Sequence, residues 1–335
     1  MMKVFAGVGL GVVALAGCGF GYLVHMKPSM RPASDEKVDA TPERIARGDY
    51  LVNAVIGCTG CHSEFDSEVI SMPPKAGTLG QGGFCFDKAD AGFPGKVCAQ
   101  NITSDRETGI GAWTDGEIMR AFREGVDRDG NALMPMMPYG DLRNLSDEDA
   151  RSVVAYVRTL PPISRKNPKG HLDFPVNLAI KFAPKPLTGP VPEPDHKDTV
   201  AYGKYLANLS CVDCHTPVDS HMNRLTDQLF AGGRDFDMSG AFPGLRERSA
   251  NLTPDDTGIK AMSRQNFISA FAAYRDPAVR AEKVSTDKNT LMPWITYSHL
   301  TDEDLGAIYD YLRTLPPIHN PVERRPPPAH PATAT

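Results

Sequence analysis

Cys58-Thr59-Gly60-Cys61-His62 and Cys211-Val212-Asp213-Cys214-His215 decide how this chain is read. Both have the C-x-x-C-H spacing of covalent c-type haem attachment. The spacing answers a chemical need. Two thiols add across the two vinyl groups of one porphyrin, and the following histidine swings under the iron. A zinc site would want further Cys or His at paired spacing. A redox C-x-x-C would want a βαβ pattern around it. Neither pattern surrounds these motifs. Two covalently bound haems c are expected, held by Cys58, Cys61, His62 and by Cys211, Cys214, His215.

Working outward, the surroundings of the motifs repeat. Arg47-Gly48-Asp49-Tyr50-Leu51 matches Tyr202-Gly203-Lys204-Tyr205-Leu206, and Thr159-Leu160-Pro161-Pro162-Ile163 matches Thr314-Leu315-Pro316-Pro317-Ile318. Asn101-Ile102-Thr103 matches Asn251-Leu252-Thr253. One haem-binding unit is therefore duplicated. The repeat also selects a second iron ligand. Leu145-Ser146-Asp147-Glu148-Asp149 matches Leu300-Thr301-Asp302-Glu303-Asp304. Carrying that register back without a gap pairs Met137-Pro138 with Met292-Pro293. Met137 and Met292 are the expected distal ligands, and the nearby Met134 and Met136 are expected to fill space. A thioether opposite histidine raises the haem potential relative to bis-histidine ligation.

Helix signals bracket each motif. Thr41 with Pro42 opens a helix running to about Ile56. Thr114-Asp115-Gly116-Glu117 is a capping box, and Ser263 starts its counterpart. Ser146 and Thr301 precede acidic first turns, and apolar stripes follow, ended by Pro-Pro pairs. No long alternating strand pattern appears. The expected fold class is all-α.

Each half resembles a class I cytochrome c domain: an N-terminal helix, C-x-x-C-H, a Met-Pro loop and a C-terminal helix. The tandem order is similar to membrane-anchored dihaem cytochromes c and to the cytochrome subunits of membrane-bound alcohol and gluconate dehydrogenases. The resemblance spans about residues 41–318. It implies Asn101, Trp113 and Asn251 as groups near the haem propionates; a plain turn-and-core role for these three stays open beside it.

The expected organisation is a signal or anchor and tether at 1–40, a haem domain at 41–162, a Pro-rich linker at 163–197, a second haem domain at 198–318 and a disordered tail at 319–335. Residues 4–24 carry no charge and are long enough to span a bilayer. Leu15-Ala16-Gly17-Cys18 also fits a lipoprotein box acylated at Cys18, and a cleaved secretory peptide is a third option. The chain is expected on the bacterial periplasmic side, tethered to the membrane. Cys85 and Cys98 have no counterparts in the second copy; in an oxidising compartment they are expected to pair.

The net charge of −5 argues against a nucleic-acid binder. Both haem domains are acidic, at −6 and −4, which suits docking to a basic partner. With both iron sites filled by protein ligands, the chain is expected to be an electron-transfer protein rather than an enzyme. It would relay single electrons between a membrane or periplasmic donor and an acceptor. Its partners would be a dehydrogenase, a quinol-oxidising complex, an oxidase or a small electron carrier. One alternative is the electron-transfer subunit of a membrane-bound dehydrogenase complex. A more distant one is a dihaem peroxidase, which needs an open iron and an acid–base residue. His171, His196, His221 and His299 are the spare histidines for that role.

Overall fold

The computed structural model describes residues 21–88, 94–220 and 222–327. In the first half, α1 (Pro42–Tyr50) runs into a π-helical turn, Leu51–Val55, and then α2 (Cys58–Cys61). α3 (Asp115–Glu124), α4 (Tyr139–Leu142) and α5 (Asp147–Val157) follow. The second half repeats the order with α6 (Thr199–Ser210), α7 (Val212–His215), α8 (Arg264–Ala272), α9 (Trp294–Tyr297) and α10 (Asp302–Leu312).

The caps explain where these helices start. Thr41 accepts from the Arg44 N–H, with Pro42 in the first turn. Thr114 and Glu117 form both bonds of the capping box. Ser146 and Thr301 accept from Asp149 N and Asp304 N, and three acidic residues in each first turn complement the helix dipole.

α1 crosses α5, and α6 crosses α10, at very close range. A Cβ on Gly48 would lie 1.9 Å from the Ser152 carbonyl oxygen, and one on Gly203 would lie 1.8 Å from that of Ala307. Only glycine permits either crossing. Leu51, Val55 and Val154 of the first half share one continuous apolar core with Leu206, Leu305 and Ile308 of the second.

The all-α expectation is corrected by short antiparallel strands between each haem motif and the Asn-x-Thr segment. β1 (Cys85–Asp87) pairs with β2 (Gly95–Cys98), and β2 pairs with β3 (His171–Leu172) from the linker. β4 (Asp235–Asp237) pairs with β5 (Arg246–Arg248). Such strands are too short for alternation to register against a loop. Cys85 and Cys98 face each other across β1 and β2 and form a disulfide. The expected N-terminal membrane segment is not supported either. Among the described residues no helix is long and apolar enough to cross a membrane. Cys18 and most of the apolar stretch 4–24 lie outside the described residues.

The segment 163–197 wraps the first copy. Asn167 donates to the Gln81 carbonyl, and Asp147 N donates to the Val191 carbonyl. Residues 319–327 lie against the second copy, where Arg248 N donates to the Arg324 carbonyl.

The copies clasp each other through a reciprocal pair of phenols. Tyr50 Oη donates to Asp304 and accepts from Thr301 N at 3.2 Å. Its repeat equivalent, Tyr205, donates to Asp149 at 2.6 Å and accepts from Ser146 N at 3.1 Å. Each tyrosine thus seals the start of the other copy's last helix. A smaller apolar cluster of Met72, Met238, Phe242 and Leu245 closes the far side, with Phe84 stacked on Phe242.

Candidate functional site

Each C-x-x-C-H motif is wound into a single helical turn that sets its two thiols and its imidazole on one short arc. Gly57, at φ +74°, reverses the chain just ahead of Cys58. His62 and His215 are then oriented the same way. His62 Nδ1 bonds the Gln100 carbonyl at 2.7 Å, and His215 Nδ1 bonds the Ala250 carbonyl at 2.8 Å. With Nδ1 as the donor, the proton sits on that nitrogen and the Nε2 lone pair is available to a ligand bond. Burial lowers both imidazole pKa values, opposed by the carbonyl bond, so the neutral, ligand-competent form prevails at neutral pH. Gln100 and Ala250 act through backbone atoms, which no residue-type reading would find. Their signal is positional: each immediately precedes a repeated Asn-x-Thr.

Cys58 and Cys211 are half-buried, whereas Cys61 and Cys214 are exposed. Burial pushes Cys58 up to about 12 and Cys211 to about 11. Cys61 lies within electrostatic reach of Cys214. Tyr297 is buried close by. Its hydroxyl donates to the Ser210 carbonyl at 2.7 Å. Burial beside Cys211, Cys214 and Cys61 keeps its phenol well above the ordinary value. Among the described residues no group of three or more His, Cys, Asp and Glu side chains could hold a metal ion directly. The thiol pair with an oriented imidazole fits a porphyrin.

The two Met-Pro steps have one local geometry. Pro138 has φ −78° and ψ 45°, and Pro293 has φ −79° and ψ 61°. Tyr139 N bonds the Met137 carbonyl at 2.7 Å, and Trp294 N bonds the Met292 carbonyl at 2.8 Å. Each is an inverse γ-turn centred on proline and followed at once by a helix. Met137 and Met292 pack against the main core, whereas Met136 is exposed.

Asn101 and Asn251 are buried loop staples. Asn101 Nδ2 donates to the Ile163 carbonyl and Thr108, while its Oδ1 accepts from Thr103. Asn251 makes the same set with Ile318, Thr257 and Thr253. Trp113 packs partly buried against the main core. Among the spare histidines, His196 pairs with Glu193 and stacks on Tyr202. His171 lies in β3, His299 bonds the Thr296 carbonyl, and His221 lies outside the described residues.

No family model matches the chain. It is 28% identical over 301 residues to the fructose dehydrogenase cytochrome subunit of Gluconobacter japonicus, covering 85% of this chain and 55% of that one. To the gluconate 2-dehydrogenase cytochrome c subunit of Pantoea cypripedii it is 29% identical, covering 84% and 61%. To a dihaem c-type cytochrome of Cereibacter sphaeroides it is 27% identical, covering 92% and 97%. The chain thus spans little more than half of the dehydrogenase subunits and nearly all of the dihaem cytochrome. Its homologues are cytochrome c subunits of dehydrogenases and a dihaem cytochrome c.

Proposed function

We propose that this chain is a dihaem c-type cytochrome that relays single electrons between a protein donor and a protein acceptor. Cys58 and Cys61 tether one haem, and Cys211 and Cys214 the other. His62 and His215 supply the proximal nitrogens, Met137 and Met292 the distal sulfurs. Bound haem supplies one-electron iron chemistry. With His62, Met137, His215 and Met292 supplying the iron ligands, bound haem would exchange single electrons with no bond made or broken. The observation that carries this reading is the repeated C-x-x-C-H turn, each with its histidine Nδ1 on a backbone carbonyl and each followed by the same Met-Pro turn. The single apolar core shared by the two copies supports transfer between the two haems. The Cys85–Cys98 disulfide and the chemistry of haem c attachment support the periplasmic side.

A second reading makes the donor a dedicated dehydrogenase, with this chain as its electron-transfer subunit. The names of the relatives favour it. It predicts co-purification with a flavin- or quinone-cofactor subunit, and a monomer under mild conditions speaks against it.

The deciding experiment is a haem count with paramagnetic resonance on the holoprotein. Two covalent haems, both low-spin, are expected. A stable high-spin iron in the intact protein would overturn the ligand set and revive peroxide chemistry.

A further inference from the structure

The loop that follows the first haem motif reaches out of its own copy. Ile70 N donates to the Glu282 carbonyl at 3.0 Å, and Val284 N to that of Glu68 at 2.9 Å. At the tip, Ser71 and Met72 take φ of +67° and +44°. That conformation is costly for residues with a Cβ and persists only where surrounding bonds hold it.

Here the holding bonds come from the second copy. Ser71 N donates to Asn289 Oδ1 at 2.8 Å. Ser71 Oγ donates to the Met292 carbonyl at 2.9 Å. Asn289 Nδ2 donates back to the Ser67 and Val69 carbonyls at 3.0 and 2.9 Å. Asn289 is wholly buried and Ser71 nearly so. The other side of the Met292 loop is held within its own copy. Met292 N donates to Thr290 Oγ1 at 3.1 Å, and Thr290 Oγ1 and Leu291 N both donate to Glu247 Oε2 at 2.9 Å.

Resting on the dihaem reading above, we propose that Ser71 and Asn289 are positioning residues through which the first copy holds the distal ligand of the second haem. A thioether is a weak neutral donor. Its hold on iron depends on how little freedom the loop gains when the sulfur lets go. Ser71 removes that freedom by pinning the carbonyl of Met292 itself. The Met137 loop is built differently. Its backbone bonds are local, Met137 N to the Met134 carbonyl and Tyr139 N to the Met137 carbonyl. Its contact with the other copy falls four residues on, where Arg224 pairs with Asp141 at 2.7 Å.

The test is an imidazole titration of the ferric full-length holoprotein. It is followed by loss of the methionine–iron charge-transfer band and by paramagnetic resonance. Met137→Ala and Met292→Ala, each opening one site, assign the two haems. Ser71→Ala should lower the half-saturating imidazole concentration at the second haem about tenfold, the factor one buried hydrogen bond commands, and leave the first haem unchanged. Asn289→Ala should do more; if it does not fold, Ser71→Ala, which removes one hydroxyl, carries the test. An unchanged second haem in Ser71→Ala, or equal shifts at both haems, overturns the proposal. A Met292→Ala protein with no newly opened site would remove the ligand assignment beneath it, and a chain without haem absorption would remove the dihaem reading itself.

Discussion

The two copies share motif, caps and helix crossings, but they anchor the equivalent acids Asp149 and Asp304 with different partners. Asp149 is 2% exposed and takes a bidentate bond from Arg47, at 2.8 Å through both nitrogens, besides the Tyr205 hydroxyl. Burial works against the Arg47 charge, yet the bond to Asp149, the Asp149 charge and Tyr202 together outweigh it and its pKa moves up. In the second copy Tyr202 stands where Arg47 stands in the first, and it bonds back to Arg47 at 3.4 Å. Asp304 receives Tyr50 and no arginine among its described bonds. The duplicated unit thus keeps a phenol on each acid and, among the described bonds, adds an arginine to Asp149 but not to Asp304.

The largest way to break this comparison is to remove the two acids separately. Asp149→Ala leaves Arg47 without its carboxylate partner and should cost about 3 kcal/mol, the lower end for breaking a buried pair because Arg47 is partly exposed. Asp304→Ala deletes one neutral donor's acceptor and should cost about 1 kcal/mol. Urea unfolding of the two holoproteins measures both. Equal losses would mean that the arginine adds nothing beyond the phenols.

A smaller effect tests where the copies should agree. Gly48→Ala and Gly203→Ala each force a Cβ onto a backbone carbonyl oxygen that cannot swing aside. Each should lower stability by about 1–3 kcal/mol, the usual cost of overpacking. Thermal melts of the pair check it. A large gap between them would show that one crossing can slide apart and the other cannot.

Much of this was legible in the residues, for identifiable reasons. Haem attachment is written in contiguous side chains, so spacing alone exposes it. Helix starts are written in cap residues, and Thr41, Thr114, Ser146, Ser263 and Thr301 all accept the expected backbone bond. The Met-Pro register came from an ungapped repeat, and the matching γ-turns agree with it. What escaped was carried by backbone atoms or by single residues acting across the interface. The strands are two to four residues long. His62 and His215 lean on carbonyls of Gln100 and Ala250, where any residue type would serve. Tyr50 and Tyr205 were visible as repeat partners, but nothing in a repeat says that each bonds the other copy. Ser71 carries no sign of a left-handed backbone, which only glycine or asparagine would have advertised.

The smallest effect is in pH, where two aspartates should oppose each other. Asp141, four residues beyond Met137, has its pKa raised from 3.8 because burial outweighs the Arg224 pair. Asp235, in β4, has its pKa lowered from 3.8 because bonds from Arg246 outweigh burial, with Arg248 assisting. The signs follow from linkage. Asp235 adds stability above its unfolded pKa, and that stability is lost as pH falls through the folded value. Asp141 does the reverse: its ionisation costs stability, and the cost sets in as pH rises from about 4 through the raised folded value. Relative to the native chain, Asp141→Asn should therefore gain stability as pH rises from about 4, while Asp235→Asn should lose it as pH rises toward about 4 and hold level above that. Urea midpoints on both sides of about pH 4 give the two slopes. If the two variants moved in the same direction, Arg224 would have to compensate the Asp141 charge in full.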